Sequence, residues 1–322
     1  GSALAKQHRR LIARAEAVHN LFPGWADRLR ARALQLELDT ARVVRIHARR
    51  GVILCTGGFI FNRELLLEHA PQYRDTLRLG ATGCDGSGIR LGASVGGVAA
   101  RMNKVSAWRF INPPQNLPRG IVVNTAGQRF CNEQVYGARL GVEMVEQHGG
   151  RAWLILDAAL RRTAIRECLR SKAWPFQKYP ALMLMLFAKR GRTPEALATS
   201  IGVPPRALRE SIERYDADVA GGHEDALGKS SDLRARLHTR PYYALDIAVT
   251  NSLFPCPAIT LGGLRVEEAS NRVIEANAQP IAGLYAAGRC AVGIASNHYV
   301  SGLSLADCLW SGRRAGAHAA AL

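Results

Sequence analysis

A chain of 322 residues with 48% hydrophobic content can bury one large core or two moderate ones, so neither disulfides nor a structural metal are needed to hold it together. The formal charge of +17 raises nucleic acid or an anionic membrane as partners, yet the basic residues are spread along the chain, and the densest stretch, Arg28 to Arg50, alternates Arg with apolar residues as solvated faces do. The longest nearly uninterrupted apolar run, Ala181 to Ala188, is too short to cross a bilayer, and no charged-then-apolar leader precedes a cleavage site, so a cytoplasmic protein without a transmembrane segment is expected.

The sequence opens Gly1-Ser2 without Met, as a piece of a longer chain would. Ala3 to Val18 has helical spacing through Leu4, Leu11, Ile12 and Ala15, and Leu34 to Val44 alternates like a short strand. Gly51-Val52-Ile53-Leu54-Cys55-Thr56-Gly57-Gly58 is an apolar, β-rich run stopped by paired glycines, the pattern of a buried parallel strand. A helix is predicted from about Arg63 to Ala70. The glycine-dense stretch Gly80 to Gly88 follows and runs into helical residues up to Gly97; such density permits close backbone approach to a ligand. Ile121-Val122-Val123-Asn124 reads as a strand with Thr125 to Gln128 as its turn.

From Trp153 to about Tyr243 the character changes to Arg-rich helices, an apolar helix near Pro180 to Ala188, and helices around Thr193 to Ala220. An inserted second domain is expected there. The strand-and-glycine pattern then resumes at Ala258 to Val266 and Gly283 to Gly288, before a final helix from about Ser304. The fold class is therefore α/β, with a discontinuous domain over 1–150 and 245–322 and an inserted α+β domain over 151–244.

Seven scattered cysteines, never in a C-x-x-C pattern or beside a His at ligand spacing, read as buried reduced thiols rather than zinc ligands or a disulfide framework, and no metal site is expected. The run Glu195 to Leu208 has the look of a helix-turn-helix, but its second helix continues Arg209-Glu210-Ser211-Ile212-Glu213, whose carboxylates would repel phosphate. A tight helical corner is the expectation, with no recognition of nucleic acid. The strand ending Thr56-Gly57-Gly58 and the stretch Ala286-Ala287-Gly288-Arg289 share another logic. Each delivers small residues to a strand's carboxyl end, and together with the final helix they describe a nucleotide cofactor held at strand ends and helix N-termini.

Five segments in order carry a resemblance: Val52 to Phe59, Thr82-Gly83-Cys84-Asp85-Gly86, Val123 to Glu133, Thr260-Leu261-Gly262-Gly263-Leu264, and Gly283 to Gly288. They resemble the signature segments of the FAD-dependent fumarate-reductase and 3-ketosteroid-dehydrogenase superfamily. Asn297-His298-Tyr299-Val300-Ser301-Gly302-Leu303-Ser304-Leu305-Ala306-Asp307 is most similar to the 3-ketosteroid 4-dehydrogenases, whose catalytic Tyr and Ser stand two residues apart. The resemblance implies a Rossmann-like FAD-binding domain with an inserted substrate or cap domain. It implies FAD contacts from Thr56, Gly57, Gly58, Asp85, Gly86, Gly262, Ala287, Gly288, Arg289, Ser304 and Leu305. It also implies catalysis by Tyr299 and Ser301. A further family Tyr in the inserted domain has Tyr179 as its candidate counterpart. The family's opening G-x-G-x-x-G appears nowhere before Gly51, so the Rossmann-like domain is incomplete here and this stretch alone is expected to hold FAD weakly.

The residues make chemical sense beside the resemblance. Removing hydrogens across a C–C bond next to a ketone requires a polarised carbonyl, so that the adjacent C–H becomes acidic, while a hydride leaves the next carbon for flavin N5. Tyr299 can donate to the ketone oxygen, with a backbone N–H near Leu303 as a second donor. Ser301 can relay the proton if a neighbouring acceptor assists it; otherwise Tyr299 and Ser301 merely pack and cap the last helix. Leu303, Phe187 and the apolar helix around Leu182 would contact a steroid or similar apolar ketone, or that helix is plain core. His298 points away from Tyr299 and Ser301 if the segment is extended. Reduction of a dicarboxylate or enoate, and a non-catalytic fragment, are the alternatives. The electron acceptor is not legible.

Overall fold

The computed structural model describes residues 3–19, 22–172 and 175–322, with backbone alone at 175 and 176; the Gly1-Ser2 opening lies outside them. The chain divides into two compact units, one of residues 1–69, 78–104 and 259–322, the other of 70–77 and 105–258.

The first unit begins with the helices Ala3–Val18 and Pro23–Thr40, which pair through Ala15, Ala26 and Leu29. Leu34 to Thr40 therefore belongs to a helix, not to the strand that its alternation suggested. Ala, Leu, Gln and Glu are strong helix formers, and the second helix needs only Ala26, Leu29 and Ala33 on its buried stripe, leaving Leu34 and Leu38 outside. The Val52–Leu54 strand runs parallel to Pro280–Ala286 in the register Val52 to Leu284, Ile53 to Tyr285 and Leu54 to Ala286. Arg272–Ile274 pairs antiparallel on the far side of Pro280–Ala286. Leu54, Phe59, Ile89, Leu264, Val273 and Ala286 form the core around this sheet. The helices Arg63–His69, Ser87–Ser94 and Leu303–Ala321 complete the unit.

The second unit is built on a four-stranded antiparallel sheet in the order Ile121–Val123, Trp153–Leu156, Tyr242–Asp246 and Lys189–Gly191. It is wider than the 151–244 read from composition, because Ile121–Val123 pairs directly with Trp153–Leu156. The suspected helix-turn-helix is the corner between Pro194–Ile201 and Pro205–Gly221. Thr193 Oγ1 accepts the Ala196 N–H at 3.2 Å to start the first helix, and Gly202 stops it with φ 69°. Leu208, Ile212 and Tyr215 turn the second helix inward, while Glu210 takes Arg206 and Glu195 takes Arg209. Five of the cysteines are buried free thiols, and Cys55 and Cys308 are exposed ones. Among the described residues no helix is long and apolar enough to cross a membrane.

Candidate active site

Two parallel strands ending side by side set the geometry of the first unit. The Ala287 N–H donates to Leu54 O at 3.0 Å, carrying the pairing of Val52–Leu54 and Pro280–Ala286 one step beyond the strands. Thr56, Gly57 and Gly58 therefore leave one strand beside Ala287, Gly288 and Arg289 leaving the other, at the carboxyl edge where open α/β sheets bind ligands.

The glycine-rich loop closes onto this edge. Thr56 Oγ1 accepts the Gly88 N–H at 3.1 Å, Asp85 Oδ1 accepts the Ser87 N–H at 2.9 Å, and the Gly86 N–H donates to Gly58 O at 3.0 Å. Thr56 and Asp85 thus hold the start of the helix Ser87–Ser94. Gly57 sits at φ +83°, and a side-chain carbon there would stand 2.8 Å from Cys84 Sγ, so both backbone conformation and space exclude other residues. Gly262 is required by packing instead, since a side chain would meet Met102 Cα at 2.6 Å.

Arg289 is the sharpest electrostatic feature. Its Nη2 donates to Cys84 Sγ at 3.2 Å, whereas its Nη1 is buried without a hydrogen-bond partner. A buried guanidinium donor left unmade costs roughly 1–3 kcal/mol or more, so this corner fits an acceptor or anion brought by a ligand. The Gly288 N–H is already satisfied by Ser311 Oγ at 2.8 Å.

Tyr299 and Ser301 lie in the irregular segment between the turn Ile294–Ser296 and the helix Leu303–Ala321, Tyr299 half-buried and Ser301 exposed. The helix takes Gly302 as its N-cap, at φ 91° and without a side-chain cap. The Leu303 N–H donates to Val300 O at 3.0 Å and the Leu305 N–H to Gly302 O at 3.1 Å, so the Leu303 amide is taken up by the turn that starts the helix. Leu303 and Ser304 are half-buried and Leu305 is exposed, and His298 is exposed as well. The structure places fourteen of the residues read from sequence in the first unit.

Tyr179 and Phe187 belong to the second unit, on and just after the helix Pro175–Leu186. That helix is core along Ala181, Leu184 and Met185, while Tyr179 and Phe187 are exposed and Leu182 half-buried. Sequence reading missed the Cys84 contact of Arg289 and the buried Asp307, whose carboxyl is pushed up by burial. The only sequence signal for Asp307 was an acid inside an otherwise small and apolar helix start.

The FAD binding domain family matches residues 5–305. The 3-oxo-5-alpha-steroid 4-dehydrogenase of Comamonas testosteroni is 47% identical over 218 residues, 67% of this chain and 41% of that protein. A probable fumarate reductase, Ifc3, of Shewanella frigidimarina is 27% identical over 84% of this chain and 44% of its own length. The crystal structure of 3-ketosteroid-Δ4-(5α)-dehydrogenase from Rhodococcus jostii RHA1 in complex with 4-androstene-3,17-dione superposes with a TM-score of 0.74 at 32% identity, covering 92% of this chain and 63% of that one. The chain thus spans less than half the length of these two curated relatives. The glycine cradle at Thr56–Gly58, the unmade donor of Arg289 and the family match agree in their chemistry: this chain belongs to the FAD binding domain family, and its cofactor is FAD.

Proposed function

We propose that the chain is part of an enzyme that desaturates a C–C bond beside the ketone of a 3-ketosteroid. The observation that carries this reading is the Tyr299-Val300-Ser301 segment, placed at the start of the helix Leu303–Ala321 in the unit that holds the glycine cradle. The 47% identity to a steroid 4-dehydrogenase supports it. When bound, FAD accepts the hydride that leaves the substrate. Thr56, Gly57, Gly58, Asp85, Gly86, Ala287, Gly288 and Arg289 would hold it, with Ser304 and Leu305 at the helix start and Gly262 shaping the strand behind.

The chain's own work is then polarisation and proton transfer. Tyr299 donates its hydroxyl to the ketone oxygen, making the adjacent C–H acidic. Ser301, exposed two residues further on, passes the proton on to an acceptor. Leu303 gives apolar contact to the steroid, and Tyr179 and Phe187 are the second unit's candidates for the same substrate. The first unit is the cofactor-binding part on this reading and the second the cap, acting in the cytoplasm on a small apolar substrate rather than on nucleic acid. A fumarate-type reductase would need Arg and His side chains clamping carboxylates, and the Tyr299–Leu305 segment offers none.

The test is anaerobic mixing of the FAD-loaded protein with a saturated 3-ketosteroid. The expected result is bleaching of the flavin band by the steroid, and no reoxidation of the reduced protein by fumarate. Fumarate reoxidation without steroid bleaching would overturn the assignment. A second expected result concerns Arg289. If its unmade donor meets an anionic oxygen of the cofactor, Arg289→Met should weaken FAD binding by about tenfold or more, in line with roughly 1.5–3 kcal/mol for a charge-assisted hydrogen bond. Riboflavin, which lacks phosphate, should bind the variant as it binds the parent. Fluorescence titration of both ligands reads this directly, and equal affinities for FAD would assign the donor to water.

A further inference from the structure

His19 follows the first helix directly and is 5% exposed. Its Nε2 stands 2.7 Å from the carbonyl oxygen of Arg78, which only accepts, and its Nδ1 stands 3.2 Å from Nη1 of Arg30, which only donates. The neutral ring with its proton on Nε2 is the one form that satisfies both. Around it Asp27 takes Arg30 at 3.0 Å and Arg78 at 2.7 Å, and both guanidinium groups lie over the Phe61 ring, 4.8 and 5.2 Å from its centre. The His19 ring packs against the same Phe61 at 5.3 Å.

Phe61 and Arg78, the two residues gripped from outside the helix pair, both hold the glycine-rich loop. Arg78 leads into it, two residues before Gly80, whose backbone lies so close to its neighbours that a side-chain carbon there would stand 3.2 Å from Cys84 Sγ and 3.3 Å from Arg289 Nη2. The Phe61 N–H donates to Cys84 O at 3.0 Å, and the next residue, Asn62, donates from Nδ2 to Asp85 O at 3.0 Å. We infer that neutral His19 latches the helix pair Ala3–Val18 and Pro23–Thr40 onto the loop Gly80–Gly88, and that protonation of its ring releases the loop and weakens its hold on FAD. The inference rests on the reading of that loop as part of the cofactor site.

The charges facing His19 are Arg30 and Asp27 from the second helix and Arg78 from the start of the loop, while Phe61 offers only its ring. They already sum to one positive charge. A second proton on the imidazole would sit on Nδ1 against the Arg30 donor, break that bond and bring a third cation into the cluster. Burial and the charges of Arg30 and Arg78 hold the His19 pKa below the ordinary value of 6.5, against the opposing pull of the Arg78 carbonyl and Asp27. Asp27 is desolvated too, but its bonds to Arg78 and Arg30 keep its carboxyl below the usual carboxylate range, so it stays ionised from about pH 5 upward. With the folded value of His19 below the unfolded one, the released chain takes up the proton first. The latch is therefore complete above about pH 6.5 and is lost as the pH falls through that value.

Amide hydrogen exchange on the chain without cofactor reads the latch. Between about pH 7.5 and pH 5.5, on either side of the ordinary histidine value, the Phe61 and Gly86 amides should lose about fivefold or more of their protection, once the intrinsic pH dependence of exchange is removed. The strand Trp153–Leu156 should keep its own, as it does in a local opening. His19→Gln should hold the loop equally well at both pH values, because its amide donates to Arg78 O and accepts from Arg30 as the neutral ring does but takes up no proton. His19→Ala should leave the loop loosened at both. Fluorescence titration with FAD should follow the same pattern: affinity falls by a similar factor toward acid in the parent, stays level in His19→Gln, and is low throughout in His19→Ala. The other histidines are untouched in these variants, so what separates the parent from His19→Gln belongs to His19. Loop protection in the parent that is equal at both pH values, or a His19→Gln chain that keeps the parent's pH dependence, would overturn the inference. Protection that moves as expected while FAD affinity stays level in all three chains would instead overturn the reading of Gly80–Gly88 as a cofactor loop and leave the latch in place.

Discussion

Replacing Tyr299 by Phe should slow flavin reduction by the steroid by about two to three powers of ten, the usual effect of losing one donor to a developing oxyanion. The phenyl ring survives, so apolar contact with the substrate persists and the half-saturating concentration should move far less than the rate. The interaction lost is the one that strengthens as charge builds on the ketone oxygen. Ser301→Ala should slow reduction as well, because the proton then loses its relay. A role confined to the helix start would instead cost about 1 kcal/mol of stability with near-normal turnover. Rapid-mixing spectrophotometry of the flavin band, beside thermal denaturation, reads both. If both variants reduce flavin at the parent rate, the pair is not catalytic.

The parts of this architecture that were legible in the sequence are those where local chemistry and tertiary demand agree. Val52 to Gly58 reads as a parallel strand because it is apolar, β-branched and stopped by glycines, and it pairs in parallel as expected. Thr56 and Gly57 could be singled out as small residues at a strand end, whereas Asp85 came only through the resemblance of Thr82 to Gly86. Leu34 to Thr40 misled because alternation of apolar and polar residues is compatible with a helix whose buried stripe is only Ala26, Leu29 and Ala33. The extent of the second unit was hidden for a different reason. Its first strand, Ile121–Val123, finds its partner more than twenty-five residues downstream, and no periodicity records a pairing of that range.

The largest expected loss of stability lies in the second unit, at Glu133. Its side chain is 1% exposed and fully used: Oε1 accepts the Val122 N–H at 2.9 Å and Arg129 Nε at 2.8 Å, while Oε2 accepts Arg129 Nη2 at 2.8 Å and stands 3.2 Å from Lys229 Nζ. Asp225 takes the other edge of Arg129, and Lys229 Nζ also donates to Gly120 O at 2.6 Å. Two cations and two carboxylates are thus buried together and balanced. Glu133→Gln leaves both cations short of one negative charge, and breaking a buried pair from one side costs about 3–5 kcal/mol. The cost should depend on pH through Lys229, whose ammonium is pushed down to about 8 by burial, against the opposing pull of Glu133. Its folded value lies below its unfolded one, so unfolding takes up a proton between about pH 8 and the ordinary lysine range, and stability from this group rises with pH across that window. Below it Lys229 is charged in both states and its burial cost is present in full, with Glu133 as the offset. The penalty of Glu133→Gln should therefore be largest near pH 6 and shrink by pH 9, where Lys229 can shed its proton, leaving the share that Arg129 contributes. Thermal denaturation at both pH values measures this, with thiol labelling of Cys131, 3% exposed in the same motif, as a local probe of opening. A penalty under about 1 kcal/mol, the range of exposed pairs, or one equal at both pH values, would show that the network does not couple Lys229 to Glu133.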